Sequence, residues 1–276
     1  MVLNKEQVDR YSRQIILEEV GQQGQQRLLE GSVLIVGIGG LGSPAAYYLA
    51  AAGVGRIGLV DFDRVEINNL QRQVIHFTGD VGKPKVESAA AKMRALNPDV
   101  QLETYSEPLT EKNALDIIGN YDFITDGTDN FSTKFLINDA CYFARKPFSH
   151  AGILRFEGQT ITVIPGESTC YRCIFKEPPP PGAIPSCAQA GVLGVLGGTF
   201  GVIQATEALK YLLGSGELLT DHLLFYNSKE MWFQKIRVKR NRKCPLCGDE
   251  PAITELREEK PDTCTTGGKA DEEGIT

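Results

Sequence analysis

One stretch constrains the fold more than any other. Val33-Leu34-Ile35-Val36 is an apolar, mostly β-branched run, Gly37-Ile38-Gly39-Gly40-Leu41-Gly42 follows at once, and Ala45 to Ala52 is rich in helix-favouring alanine. The order is strand, glycine turn, helix. A chain needs this arrangement where its backbone must turn tightly and approach a pyrophosphate at a helix N-terminus, whose free N–H groups and dipole favour anions. Gly37, Gly39 and Gly42 fill the G-x-G-x-x-G places, and Gly40 adds a further position without Cβ. Asp61 ends the next strand (56–60) about twenty residues after the last of these glycines, where a carboxylate accepts from ribose hydroxyls. The pattern specifies an adenine nucleotide, and by itself it fits a nicotinamide dinucleotide as well as ATP.

The rest of the chain extends the alternation. Strands near 100–105 and 121–125 and helices near 84–96, 113–118 and up to 144 continue a βαβαβ series, so the fold expected is α/β: a Rossmann-like, mostly parallel sheet with helices on both faces. From Pro147 the alternation gives way to paired strands, with Glu157-Gly158 read as their turn and two further short strands near His222 to Tyr226 and Met231 to Val238. Residues 1–30 read as a polar helical arm, with Ile15, Ile16 and Leu17 its main apolar cluster. Residues 31–250 form one domain, and 251–276 a polar tail expected to be disordered.

Charge around the phosphates separates a triphosphate from a dinucleotide. Asp63, Asn68, Asn69, Gln71 and Arg72 follow Asp61, Lys85 stands on the first turn of the next helix, and Asp129 and Asn130 follow a later strand. All lie where loops converge at the carboxyl edge of a parallel sheet, and together they suit a triphosphate and its metal. Over the whole chain, 29 Lys+Arg against 35 Asp+Glu give a net charge of −6, which argues against a general nucleic-acid binder. A membrane span is not expected either. The charge-free segment Ala188 to Thr206 carries Gly191, Gly194, Gly197, Gly198 and Gly201 at helix-face spacing, which reads as a close-packed core or subunit-interface helix. The charged N-terminus carries no apolar export signal, so a cytoplasmic location is expected.

Seven cysteines sort by spacing. Cys170 and Cys173 form one C-x-x-C and Cys244 and Cys247 another, a donor set suited to tetrahedral zinc that would staple the C-terminal end to the middle of the chain. Cys187 follows a Pro-rich loop at the start of a helix, where a thiol pKa tends to fall. Cys141 reads as a core filler, and Cys264 lies in the tail. His76, His150 and His222 occur singly and read as structural. The acid-free run of Lys235, Arg237, Lys239, Arg240, Arg242 and Lys243 reads as an exposed strand and loop, or as a docking surface for an acidic partner.

Arg10-Tyr11-Ser12-Arg13-Gln14, the turn Gly37 to Gly42, Asp61-Phe62-Asp63, Asn69-Leu70-Gln71-Arg72-Gln73, Gly82-Lys83-Pro84-Lys85 and Asp126 to Asn130 closely resemble the MoeB/ThiF/HesA enzymes, bacterial relatives of ubiquitin-activating enzymes. The resemblance runs from about Val8 to Cys247 and implies ATP-dependent adenylation of the C-terminal glycine of a small ubiquitin-like sulfur carrier, by a homodimer with a structural zinc. By motif it implies Gly40 and the turn under the phosphates, Asp61 on the ribose, Asn69, Arg72 and Lys85 on the triphosphate, and Asp129 on Mg2+. It further implies that Arg13 reaches the phosphates of the neighbouring subunit and that Cys187 aligns with a cysteine that bonds the carrier in some members. The sulfur donor expected is a separate protein of the cysteine desulfurase or rhodanese type. The competing readings are a nicotinamide-dependent oxidoreductase, which leaves Arg13, Arg72, Lys85 and the paired cysteines without a role, and a family member activating a tRNA-borne or small-molecule carboxylate.

Overall fold

Strand β1 (Ser32–Val36) is buried along its whole length. Val33 and Ile35 join one hydrophobic cluster and Leu34 and Val36 another, as the two-residue period of a strand covered on both faces requires. The computed structural model describes residues 3–180 and 187–257.

β1 pairs in parallel with β2 (Arg56–Val60) and with β4 (Phe123–Asp126). β2 pairs with β3 (Gln101–Tyr105), and β4 with β5 (Phe148–Leu154), both again parallel. β6 (Glu157–Val163), β7 (His222–Asn227) and β8 (Trp232–Arg237) extend the sheet in antiparallel fashion. The strand order is β3-β2-β1-β4-β5-β6-β7-β8. Successive connections therefore leave β1 and β4 in opposite directions, and a crevice opens where their carboxyl ends part.

On one face α4 (Gly42–Ala52), α5 (Lys85–Leu96) and α10 (Val195–Leu213) bury Leu49, Met93 and Ala205 against Ile35, Ile57 and Leu59. On the other, α6 (Ala114–Gly119) and α7 (Phe131–Ala144) bury Ile118 and Ile137 beside Cys170, Cys244 and Leu246. The expected Rossmann-like architecture is present. Cys141 is wholly buried, as a core filler would be.

Several local expectations are corrected. Glu157 and Gly158 belong to β6, and the chain reverses at Arg155, whose φ is 54°. The glycine had another cause: the Phe200 ring lies so close that a Cβ on Gly158 would stand 2.1 Å from it. The charge-free segment is not one helix. A short α9 (Cys187–Ala190) ends at Gly191, which has a φ of 77°, and α10 starts at Val195. Within α10, Gly197 and Gly201 face the backbone of Gly40 and Leu41, so close packing inside the chain accounts for them.

The opening segment, α1 (Lys5–Arg10), α2 (Ser12–Ile15) and α3 (Gly21–Glu30), is fastened to the body rather than free. Its anchors are Tyr11 and Leu28, both buried, whereas Ile16 and Leu17 are exposed. Some of the first residues assigned to the tail are packed on the body. The Ala252 and Ile253 amides donate to the Pro245 carbonyl at 2.9 and 2.8 Å, and Ile253 and Leu256 pack on the cysteine-bearing cluster. Cys264 lies outside the described residues. In the basic run, Arg240 and Arg242 both hold Asp249, so those two cations brace a loop.

Candidate nucleotide site and cysteine cluster

The glycine turn is built on a close approach. Gly37 has a φ of 88° and lies against Gly127, and a Cβ on Gly42 would stand 1.9 Å from the Gly37 carbonyl oxygen. Only glycine allows this, since the left-handed region strains other residues and no space remains for a side chain. The Ile38 amide donates to Asp61 Oδ2 at 2.7 Å, and His76 Nε2 meets the Ile38 carbonyl at 3.0 Å. Both polar groups of one loop residue are thereby held, and Gly39 and Gly40 are left facing a cavity of about 710 Å3.

That cavity sits in the β1/β4 crevice. Gly37, Gly39, Gly40, Asp61, Asp63, Arg72, Lys85, Asp129 and Asn130 all line it. Lys85 Nζ stands 2.7 Å from Asp63 and 3.9 Å from Asp61. Burial pushes the Asp61 carboxyl above the usual range, while Lys85 and the amides of Asp63 and Ile38 pull the other way. Asp61 is thus a desolvated acceptor at the end of β2, placed to take hydroxyl donors. Arg72 donates to the Asn68 carbonyl at 3.0 Å, bending its side chain over Gly40.

Other expected ligands are placed differently. Asn68, Asn69, Gln71 and Gly42 do not line the cavity. Asn69 Oδ1 accepts the Glu66 amide at 3.1 Å and its Nδ2 donates to Asn68, so these residues shape the loop that carries Arg72. Gln71 lies against Gly194. Asn130 caps α7, accepting the Thr133 amide at 2.8 Å. Arg13 is exposed and absent from the cavity wall. Cys187 begins α9, and its side chain lies outside the described residues.

Lys134, His150 and Gln73, not singled out for this site, also line the cavity, and Asp126 holds the first two from beneath. Asp126, fully buried, accepts from Thr128 with one oxygen and with the other from His150 at 2.8 Å and Lys134 at 3.1 Å. Burial opposes its ionisation, but Lys134 and His150 outweigh burial and hold the carboxyl well below the usual range. Burial, then Lys134, lowers the His150 pKa, which favours the neutral ring near pH 7, while Asp126 pulls the other way. This ring packs against Tyr171, with centroids 4.3 Å apart and the planes tilted by 44°. Gln73, beside Arg72, is also buried in the wall and its Oε1 has no hydrogen-bond partner. Lys134 stands at i+4 from the Asn130 cap, a spacing visible in sequence, but its burial depends on where β5 runs.

The four cysteines of the two C-x-x-C pairs converge. Their sulfurs all lie within 4.8 Å of one another, with Cys170 to Cys244 at 3.6 Å and Cys173 to Cys247 at 3.3 Å. A tetrahedron of Zn–S bonds of about 2.3 Å places sulfurs about 3.8 Å apart, so the donor set and its size fit zinc.

A Rossmann-like sheet thus sets its glycine turn opposite cations and carboxylates across one crevice. The chain belongs to the ThiF family, which it matches over residues 11–246. A sulfur carrier protein adenylyltransferase of Thermus thermophilus is 52% identical over 257 residues, covering 91% of this chain and 95% of that one. The SAMP-activating enzyme E1 of Haloferax volcanii is 51% identical, covering 90% and 91%. Adenylyltransferase and sulfurtransferase MOCS3 of Sus scrofa is 48% identical over 93% of this chain, which spans 56% of that longer protein. In fold, the chain superimposes on Escherichia coli MccB crystallised with ATP, with a TM-score of 0.75, 23% identity, and coverage of 90% of this chain and 75% of that one. No helix among the described residues is long and apolar enough to cross a membrane.

Proposed function

We propose that this protein adenylates the C-terminal glycine of a small ubiquitin-like sulfur carrier, using ATP and Mg2+ and releasing pyrophosphate. The observation that carries the reading is the convergence of the glycine turn, Asp61, Arg72, Lys85 and Asp129 on one cavity in a chain about half identical to named carrier-activating enzymes.

The chemistry explains the residues. A carboxylate oxygen of the carrier attacks the α-phosphorus in line, the bond from that phosphorus to the bridging oxygen breaks, and pyrophosphate leaves with the electron pair. The nucleophile is already ionised, so no serine, cysteine or general base is needed for this step. Charge compensation is needed, because negative charge builds on the leaving oxygens. Arg72 and Lys85 would supply it from the cavity wall, Asp61 would take the ribose hydroxyls, and Asp129 would hold Mg2+, which would neutralise phosphate charge. Arg13 would act from a second copy in a homodimer. The four clustered cysteines would hold zinc away from the reaction, as a staple.

The test is to incubate the protein with ATP and each candidate carrier from the same genome and to read carrier mass. Carrier gaining one adenylate supports the reading. Transfer to a small molecule or tRNA-borne carboxylate, with every carrier left unmodified, would overturn it.

A further inference from the structure

The arm residue flanked by the best-anchored side chains is Arg13, which is itself exposed. Tyr11, two residues before it, is 2% exposed. Its ring fills the space beside Gly53, where a Cβ would stand 2.5 Å from Tyr11 Cζ, and Gly53 takes a φ of 83° to close α4. The Tyr11 hydroxyl accepts from Asn97 Nδ2 at 2.8 Å, and the same amide donates to the Ala50 carbonyl at 2.7 Å. Gln14, one residue after Arg13, donates to the Ala52 carbonyl at 3.0 Å and to Gln25 Oε1 at 2.7 Å. Gln25 is wholly buried and donates to that same Ala52 carbonyl.

The carbonyls of Ala50 and Ala52 belong to the last turn of α4, which satisfies orphan acceptors of a helix end. The glycine turn is at the other end of α4. Eleven residues at 1.5 Å each separate the two ends by about 16 Å. The clamp thus holds Arg13, which is exposed, at the far end of the helix from the glycine turn of its own subunit. A segment tied down this firmly around an unpaired, solvent-facing arginine is built to present that arginine to another molecule.

We infer that Tyr11, with Gln14 and Asn97, is a positioning residue that presents Arg13 to the cavity of a second copy of this chain. The inference rests on the proposed role of Arg13, and its test separates the two. Mixed dimers are purified through two different tags and assayed by carrier-dependent ATP–pyrophosphate exchange. In each, one subunit is unaltered and the other carries Lys85→Ala, which silences its own cavity, together with a second change. With Lys85→Ala alone, the dimer keeps about half of the unaltered activity, since one of two sites works. With Lys85→Ala and Arg13→Ala on the same subunit, activity falls at least tenfold further, because the unaltered cavity loses its arginine in trans. With Lys85→Ala and Tyr11→Ala, the same fall is expected although Arg13 is present.

Half activity in the Arg13 arm would overturn the role of Arg13. Loss there but half activity in the Tyr11 arm would overturn the clamp and leave Arg13 standing. Should Tyr11→Ala not fold, Tyr11→Phe and Gln14→Ala replace it, each removing one hydrogen-bonded strut, with an intermediate loss expected. A protein that is monomeric under assay conditions and fully active overturns both.

Discussion

Gly197 of α10 lies directly on the backbone of Gly40: a Cβ at position 197 would stand 2.5 Å from the Gly40 carbonyl oxygen. The helix that follows the cysteine region is therefore a backing plate for the glycine turn, and Gly197 and Gly201 let it approach. Gly197→Ala should push the turn out of shape, weakening nucleotide binding tenfold or more and costing about 1–3 kcal/mol of stability as an overpacked site does. The adjacent Gly198 has nothing within 4 Å of where its Cβ would be. Gly198→Ala should stabilise the helix by up to about 1 kcal/mol and leave binding unchanged. Thermal melts and nucleotide titrations of the pair decide this, and like effects from both substitutions would refute the backing role.

Arg72→Ala should abolish carrier-dependent exchange while the protein still melts as a folded domain. Arg72 bends over Gly40 and is held through the Asn68 carbonyl, so its removal deletes a cation from the cavity wall and little packing. An arginine meeting developing phosphate charge is worth about 10³ to 10⁵ in rate. Exchange within tenfold of the unaltered enzyme would take Arg72 out of the site.

Much of this was legible in the sequence because it is local. The strand, glycine turn and Asp61 follow one another within a single βαβ unit, and the paired cysteines announce their donor set by spacing alone. What was not legible depends on elements far apart in the chain. Gly158 looked like a turn residue because the Phe200 ring that explains it is forty-two residues away. Asn69 shares its motif with Arg72, which lines the cavity, yet its own side chain closes a loop onto Glu66 and does not line it. The spacing of Lys134 from Asn130 is visible in sequence but its meeting with His150 is not, since Asp126 brings the two together only once β4, β5 and α7 are packed. In the arm, Ile15, Ile16 and Leu17 are the conspicuous apolar cluster, yet Ile16 and Leu17 are exposed and the anchors are the separated Tyr11 and Leu28.

Removing the cysteine donors should affect stability before it affects chemistry. Cys244 is buried among Cys170, Leu246 and the α7 side chains, on the sheet face opposite α4 and α5. Freshly purified protein should hold about one zinc per chain, as a four-thiolate set predicts. Cys244→Ser, or prolonged chelation, should lower the melting temperature by several degrees while nucleotide affinity of the remaining folded protein stays within about twofold, since bound metal adds to folding free energy. Substoichiometric zinc, or loss of nucleotide binding without loss of stability, would contradict the staple.

The Asp126–Lys134 pair offers a test with a defined pH sign. Asp126 is fully buried, faced by Lys134, neutral His150 and Thr128, and its carboxyl is held below the usual range by Lys134 and His150 against the effect of burial. Lys134→Met leaves that carboxylate without its cation and should cost about 3–5 kcal/mol near neutrality, whereas Lys134→Met with Asp126→Asn should cost distinctly less. Because the folded pKa is depressed, the pair's contribution is complete above the unfolded carboxyl value of about 3.9 and is lost as pH falls through the lower folded value. In Lys134→Met the carboxyl is no longer opposed to burial by that cation and takes up its proton at higher pH. The stability gap between the two proteins should therefore narrow as pH falls towards about 4, measured by urea unfolding at each pH. A gap that stays constant or widens in acid would show that Lys134 stabilises the fold by packing alone.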